Sequence, residues 1–281
     1  MINRDLLITR IDQAIAEDFV GNLDVTTSPT IPATQRCIGE FRTRKSGVVS
    51  GIDVAIVLLN RVCVGGYEIL SRLSDGNVVG ENVTVLKVSA LTRELLVAER
   101  TALNFLSRLS GISTTTHRWV DAIAGTSAKI RDTRKTTPGW RDLEKYAVLC
   151  GGGVNHRLNL AESALIKDNH IAAVGGISQA VAAIKSQFPN LLIEVEIDHL
   201  NQLEEAIAAG ADEVLLDNMS PTECAQAVTL NKGRVKLEAS GGITLETVRA
   251  YAETGVDFIA VGAITHSAPI LDIGLDISEV N

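Results

Sequence analysis

The sequence predicts an α/β protein whose second half forms a parallel α/β barrel, and three observations carry that expectation. Its 281 residues are 46% hydrophobic but only 4% aromatic, with 23 glycines; small and aliphatic side chains suit close helix-to-strand packing better than an all-β sandwich. Beyond Thr126, short apolar runs alternate with helically spaced segments at intervals of about 20 to 25 residues, the cadence of repeated βα units. Each run closes on polar residues, as expected where strands deliver side chains to one mouth. An open doubly wound sheet is the alternative, but no G-x-G-x-x-G turn follows a strand to support its dinucleotide-binding form.

In chain order, residues 4–17 have helical spacing, Asp75-Gly76 marks a turn between apolar flanks, and Val83, Val85 and Lys87 begin an alternating strand. Residues 90–109 are expected as one long helix, because Leu91, Leu95, Ala98, Ala102, Phe105 and Leu109 recur at three- and four-residue intervals. Arg93, Arg100, Asn104 and Arg108 occupy its other face. Candidate parallel strands follow at 191–195, 213–216, 235–237 and 258–261, with helices at 201–209, 221–230 and 245–254. The tail alternates Leu271, Ile273, Leu275 and Ile277 and reads as a strand that joins the N-terminal sheet.

Several function classes are excluded by composition. The N-terminus carries Arg4, Asp5, Arg10, Asp12, Glu17 and Asp18, which interrupts any signal-peptide core. The longest conspicuous apolar run, residues 54–59, is far shorter than the roughly 20 residues of a membrane span. A cytoplasmic protein that binds no membrane is therefore expected. Cys37, Cys63, Cys150 and Cys224 are scattered without a C-x-x-C pair and read as reduced, mostly buried thiols. A net charge of −8 argues against nucleic acid as a partner. Residues 131–170 are the exception, with seven Lys or Arg against five Asp or Glu.

That basic stretch falls where barrel chemistry is expected, at strand carboxyl ends. The runs close on Arg134 and Lys135, Lys167 and Asp168, Glu194 and Glu196, Asp217 and Asn218, Glu238 and Ser240, and finally Gly262. Ser240-Gly241-Gly242 and Gly262-Ala263-Ile264 follow the last two strands and are placed to offer backbone N–H groups to a phosphate, the first opening directly into a helix. Thr133-Arg134-Lys135 sets two cations beside hydroxyls, an anion-holding arrangement. After Gly151-Gly152-Gly153 come His156 and Arg157; Lys167-Asp168-Asn169-His170 closes another run. His170 reads as a hydrogen-bonded histidine rather than a catalyst. The site these residues describe would hold a phosphorylated sugar and a small organic acid.

At these motifs the chain resembles the quinolinate phosphoribosyltransferase family along essentially its whole length. The stretches that carry the resemblance are Glu99 through Asn104, Asp132 through Gly139, Lys145-Tyr146-Ala147, Gly151 through Arg157, Leu165 through Ile171, Glu194-Val195-Glu196, Leu216 through Met219, Glu238 through Gly242, and Gly262 through Asp276. One departure is Leu23, where the family's acidic segment usually has glycine. The resemblance implies an N-terminal α/β sandwich over 1–110, to which a tail, 271–281, returns, and an incomplete seven-stranded α/β barrel over 111–270, the type II phosphoribosyltransferase-like arrangement. It implies a homodimer in which Arg100 completes the partner's site. Arg134, His156, Arg157 and Lys167 would hold the quinolinate carboxylates, with Thr133 beside them and Lys135 near the reacting centre. Lys135, Glu196 and Asp217 would serve as catalytic groups, the two carboxylates addressing the ribose of phosphoribosyl pyrophosphate and Mg²⁺; Ser240, Gly241, Gly242, Gly262, Ala263 and Ile264 would cradle a phosphate.

The expected reaction needs no side-chain nucleophile. The pyridine nitrogen attacks the anomeric carbon as pyrophosphate leaves, and the alkylated ring then becomes the electron sink for loss of the adjacent carboxylate. A Schiff-base aldolase on a similar barrel is the enzymatic rival, distinguished by carbonyl trapping. A catalytically inert phosphoribosyl-ligand sensor is the rival outside catalysis. The related molybdenum-locus proteins share TRKTTPG and the triple glycine, but Lys167-Asp168-Asn169-His170 favours the quinolinate enzymes.

Overall fold

The structure, a computed structural model, describes residues 2–278. Asn3 opens helix α1 (Arg4–Asp18): its side-chain oxygen accepts the amide hydrogens of Asp5 and Leu6 at 3.1 Å, satisfying donors that a first turn leaves unpaired. The acidic segment behind it turns on Gly21 and Asn22, at φ 66° and 56°, while Leu23 is extended at φ −120°. Leu23 therefore carries no left-handed strain where the family has glycine. Asp24 accepts the amides of Thr26 and Thr27 at 2.9 Å, and α2 (Thr27–Thr30) follows.

Next come β1 (Arg36–Thr43), β2 (Gly47–Val48), α3 (Ile52–Val62), β3 (Glu68–Arg72), β4 (Val78–Val79) and β5 (Thr84–Leu91). Period-two alternation buries Cys37, Gly39, Phe41 and Thr43 along β1. The expected turn at Asp75 has a second role: its carboxylate accepts the amides of Gly51 and Ile52 at 3.0 and 2.9 Å and so caps α3 from across the chain. Helix α4 (Thr92–Ala122) runs 31 residues, well past the expected 109. It continues through Gly111, where the lack of a side chain leaves room for another backbone segment; a Cβ there would lie 2.1 Å from the Pro269 carbonyl oxygen.

The βα series then unfolds as β6 (Lys129–Arg131), α5 (Arg141–Cys150), β7 (Ala164–Ile166), α6 (Asp168–Val174), α7 (Ile177–Gln187), β8 (Ile193–Ile197), α8 (Leu203–Ala209), β9 (Glu213–Asp217) and α9 (Pro221–Asn231). It ends with β10 (Lys236–Ser240), α10 (Val248–Ala252), β11 (Phe258–Ala260), α11 (Ala263–His266) and the return strand β12 (Ile273–Ser278). Ser220 caps α9, accepting the Glu223 amide hydrogen while Glu223 accepts that of Ser220, with Pro221 at the first helical position. Helix α10 is shorter than the expected 245–254, because residues 245–247 form a turn in which the Thr247 hydroxyl accepts the Thr244 amide.

Two compact units result. One combines the described residues up to His117 with Asp142–Gly152 and the chain from Ala268 onward; the other comprises Arg118–Arg141 and Gly153–Ser267. The first holds an antiparallel sheet ordered β12-β1-β5-β3 and the short β2-β4 pair. The tail does return to this sheet, from Thr43↔Ile273 to Ile38↔Ser278, while residues 279–281 lie outside the described residues. The second unit holds six parallel strands ordered β6-β11-β10-β9-β8-β7. Val154 adds a one-residue parallel bridge to Arg131, the minimal seventh stave of an incomplete barrel. Among the described residues no helix is long and apolar enough to cross a membrane, and Cys37, Cys63, Cys150 and Cys224 are all free thiols.

Candidate active site

Parallel strands aim their carboxyl ends the same way, and period-two geometry decides which side chains face inward. On β8 the apolar Ile193, Val195 and Ile197 are fully buried on one face, which sends Glu194 and Glu196 to the other. Ladder register then aligns Glu196 with Leu215, Leu215 with Glu238, and Asp217 with Ser240. Residues that close different strands thereby meet around one cavity of about 800 Å³.

The cavity has a cationic and an acidic side. Thr133, Arg134 and Lys135 enter after β6, His156 and Arg157 after the Val154 stave, and Lys167 after β7. Glu196, Asp217 and Glu238 come from β8, β9 and β10; Gly241, Gly242, Gly262 and Ala263 supply turn backbone beside Ser240. Two sequence-expected residues do not line it. Ile264 is fully buried in the core, and Arg100 is exposed on α4 in the first unit. His170 caps α6, its Nδ1 accepting the Lys167 amide at 3.0 Å.

One expectation about the phosphate cradle is corrected. Ser240-Gly241-Gly242 does not open directly into a helix, since α10 begins only at Val248; Gly262 is the turn that does, leading at once into the four-residue α11. The first cradle is instead shaped by close packing. Gly241 sits at φ 93°, and a Cβ there would lie 2.2 Å from the Asn218 side-chain oxygen. His266, one turn beyond Gly262, also lines the cavity and was not anticipated; the single turn of α11 carries it there.

Beneath the mouth lies a buried polar network. The His156 Nδ1 accepts the Arg157 amide hydrogen at 2.7 Å, which leaves the ring proton on Nε2 to reach Glu194 Oε2, also at 2.7 Å. Arg131 donates to Glu213 at 2.7 Å and Glu238 at 2.9 Å while stacking 4.1 Å over the Phe258 ring. Burial pushes the Glu194 carboxyl up to about 7, with the Glu213 charge adding to it. Glu238 rises to about 7 from burial and then from the Glu194 charge. Burial works against charge on Arg131, but Glu213 and Glu238 outweigh it and raise its pKa. His156, Glu194 and Glu238 bring metal-type donor atoms within 4.8 Å of one another, yet the Arg131 guanidinium already supplies the cation that Glu238 needs.

On the cationic side, the buried Nε atoms of Arg134 and Arg157 have no protein acceptor among the described residues. Burial and the neighbouring Arg134 charge both lower the Arg157 pKa. Two half-buried guanidinium groups with idle Nε donors lining one cavity suit an anion, and a carboxylate offers the planar pair of oxygens that matches them. Lys135 is fixed through its backbone, where its carbonyl accepts the Thr265 hydroxyl at 2.8 Å. Lys167 donates to Glu196 across the β7–β8 boundary.

Comparison with known proteins gives a consistent picture. Residues 24–110 match the model of the quinolinate phosphoribosyl transferase N-terminal domain, and residues 112–276 that of its C-terminal domain. The chain is 50% identical over 271 residues to a carboxylating nicotinate-nucleotide pyrophosphorylase of Mycobacterium leprae, covering 95% of each chain. A probable enzyme of the same name from Bacillus subtilis is 40% identical over 93% of this chain and 90% of its own. The solved nicotinate-nucleotide pyrophosphorylase of Francisella tularensis superposes with a TM-score of 0.95 at 38% identity, covering 99% of this chain and 98% of that one.

Proposed function

The chain belongs to the quinolinate phosphoribosyltransferase family, and from that premise we propose that it transfers phosphoribosyl from phosphoribosyl pyrophosphate to quinolinate with decarboxylation. The products are nicotinate mononucleotide, pyrophosphate and CO₂, in de novo NAD synthesis. The observation that carries the substrate assignment is the pair of buried, acceptor-less Nε atoms on Arg134 and Arg157. They fit the vicinal carboxylates of quinolinate, with Lys167 beside them. His156 backs Arg157, since its Nδ1 holds that residue's amide and its Nε2 is tied to Glu194.

Held in this way, the ring nitrogen faces the anomeric carbon and attacks it as pyrophosphate departs. Positioning and fixed charge then lower the barrier. Lys135 balances charge that develops toward the leaving group, and the turns at Ser240–Gly242 and Gly262–Ala263 hold the phosphate. The positive charge of the alkylated ring nitrogen stabilises the electron pair left on the adjacent ring carbon when its carboxylate leaves as CO₂, and a solvent proton then takes that pair. Glu196 and Asp217 offer hard oxygen donors to the same cavity, a fit for Mg²⁺. When bound, that ion neutralises the pyrophosphate. We assign the working form as a cytoplasmic homodimer, with Arg100 lent to the partner's site.

The test is product formation from quinolinate, phosphoribosyl pyrophosphate and Mg²⁺, following nicotinate mononucleotide and CO₂ together. Appearance of both supports the assignment, and absence of both in folded protein overturns it. Lys135→Ala is expected to abolish turnover without unfolding. A borohydride-trapped Schiff base on Lys135 or Lys167 would replace the fixed-charge role with aldolase-type chemistry.

A further inference from the structure

Lys167 and Glu196 fall on opposite sides of the substrate assignment, yet the structure pairs them with each other. The β7–β8 ladder matches Ile166 with Val195, so the next residue of each strand stands side by side, and Lys167 Nζ donates to Glu196 Oε2. Glu196 is largely enclosed, with 11% of its side chain exposed, whereas Lys167 is 45% exposed and able to swing away.

We propose that this ion pair couples the two subsites: Glu196 holds Lys167 back from the acid, and each substrate that takes one partner frees the other for its counterpart. The proposal rests on the phosphoribosyl-transfer reading for the identity of the two ligands. A carboxylate that draws Lys167 away must first replace Glu196 as its counter-ion. Once it has done so, Glu196 is left without a cation and favours the sugar hydroxyls or metal of the donor. The coupling is reciprocal, so the donor must tighten the acid by the same factor. Glu196 therefore sets acid affinity without touching the acid.

The experiment measures binding rather than turnover, using benzene-1,2-dicarboxylate, which carries both carboxylates but lacks the attacking nitrogen. Titration calorimetry is run with and without phosphoribosyl pyrophosphate and Mg²⁺ on wild type, Glu196→Gln, Lys167→Gln and the double variant. Glu196→Gln is expected to bind the dicarboxylate about fivefold more tightly when the donor is left out, the scale of a half-exposed ion pair, and to lose the tightening that the donor produces in wild type. In the Lys167→Gln background the same substitution is expected to change nothing, which separates the pair from a general loss of negative charge. Unchanged or weaker binding by Glu196→Gln overturns the coupling, as does a gain that persists without Lys167. Failure of the substrate assignment is distinguishable, since wild type itself would then neither bind the dicarboxylate nor turn over quinolinate.

Discussion

Asp132 carries His156 by its backbone: Oδ1 accepts the His156 amide hydrogen at 2.8 Å, while Oδ2 accepts the Asn155 side-chain amide at 2.6 Å. The carboxylate is fully buried, and its own amide donates to Val154 at 3.1 Å. One residue thus fixes the segment that carries His156 and Arg157 after the glycine run.

Asp132→Ala is expected to cost about 3 kcal/mol of stability, since it strands buried donors that had a charged acceptor. It should lower kcat/KM for quinolinate by at least roughly a hundredfold, because Arg157 loses its fixed position. Urea unfolding and steady-state kinetics check the two effects separately. Normal stability with normal kinetics would remove Asp132 from this role.

Gly241→Ala tests the phosphate cradle. The substitution meets both a left-handed backbone at φ 93° and the Asn218 side chain and amide, 2.2 and 2.9 Å from the added carbon. It should raise KM for phosphoribosyl pyrophosphate by at least about tenfold, while dicarboxylate binding measured alone stays near wild type. Equal loss for both ligands would mean that the turn shapes the whole cavity.

The pH dependence of stability should carry a mark of Glu238. Its folded pKa, raised from 4.5 to about 7, means that the folded chain keeps a proton which the unfolded chain releases. Its contribution to stability is therefore complete below 4.5 and is lost as pH rises through about 7. Denaturant unfolding between about pH 5 and 8 is expected to show a flatter profile for Glu238→Gln than for wild type. Parallel profiles would contradict the assignment.

The proposed sharing of Arg100 between subunits makes a complementation prediction. Arg100→Ala and Lys167→Ala proteins should each be inactive, whereas mixing them under subunit exchange should restore activity, since half of the sites in a mixed dimer would carry neither lesion. Absence of recovery in demonstrated heterodimers would confine Arg100 to its own subunit.

Most of the site was legible because strand ends impose one direction on polar residues that lie far apart in sequence. Arg134, Lys167, Glu196 and Asp217 each close an apolar run, and a run is visible without knowing its neighbours. Ile264 belongs to the expected cradle through its backbone alone, since its side chain packs in the core, an orientation that a sequence triplet does not reveal. His266 was missed because α11 spans a single turn and leaves no periodic pattern. The contact of Glu194 with His156 joins residues 38 apart and depends on register, which only the assembled sheet defines. The length of α4 escaped for a related reason: the apolar spacing was followed only as far as Leu109, and the Pro269 backbone packed on Gly111 is visible only in the fold.

The return of β12 to β1 has a consequence for synthesis. Arg44 pairs with Asp276 across 232 residues, and β1 has β5 on one edge but depends on β12 for the other. At ribosomal rates that separation corresponds to roughly 10 to 50 s during which a nascent β1 presents unpaired amides and carbonyls. Such an edge invites pairing with a neighbouring chain. Newly made molecules are consequently most vulnerable to aggregation while the barrel strands are being synthesised and before the last strand arrives, and a holdase that masks an extended edge would act in that interval.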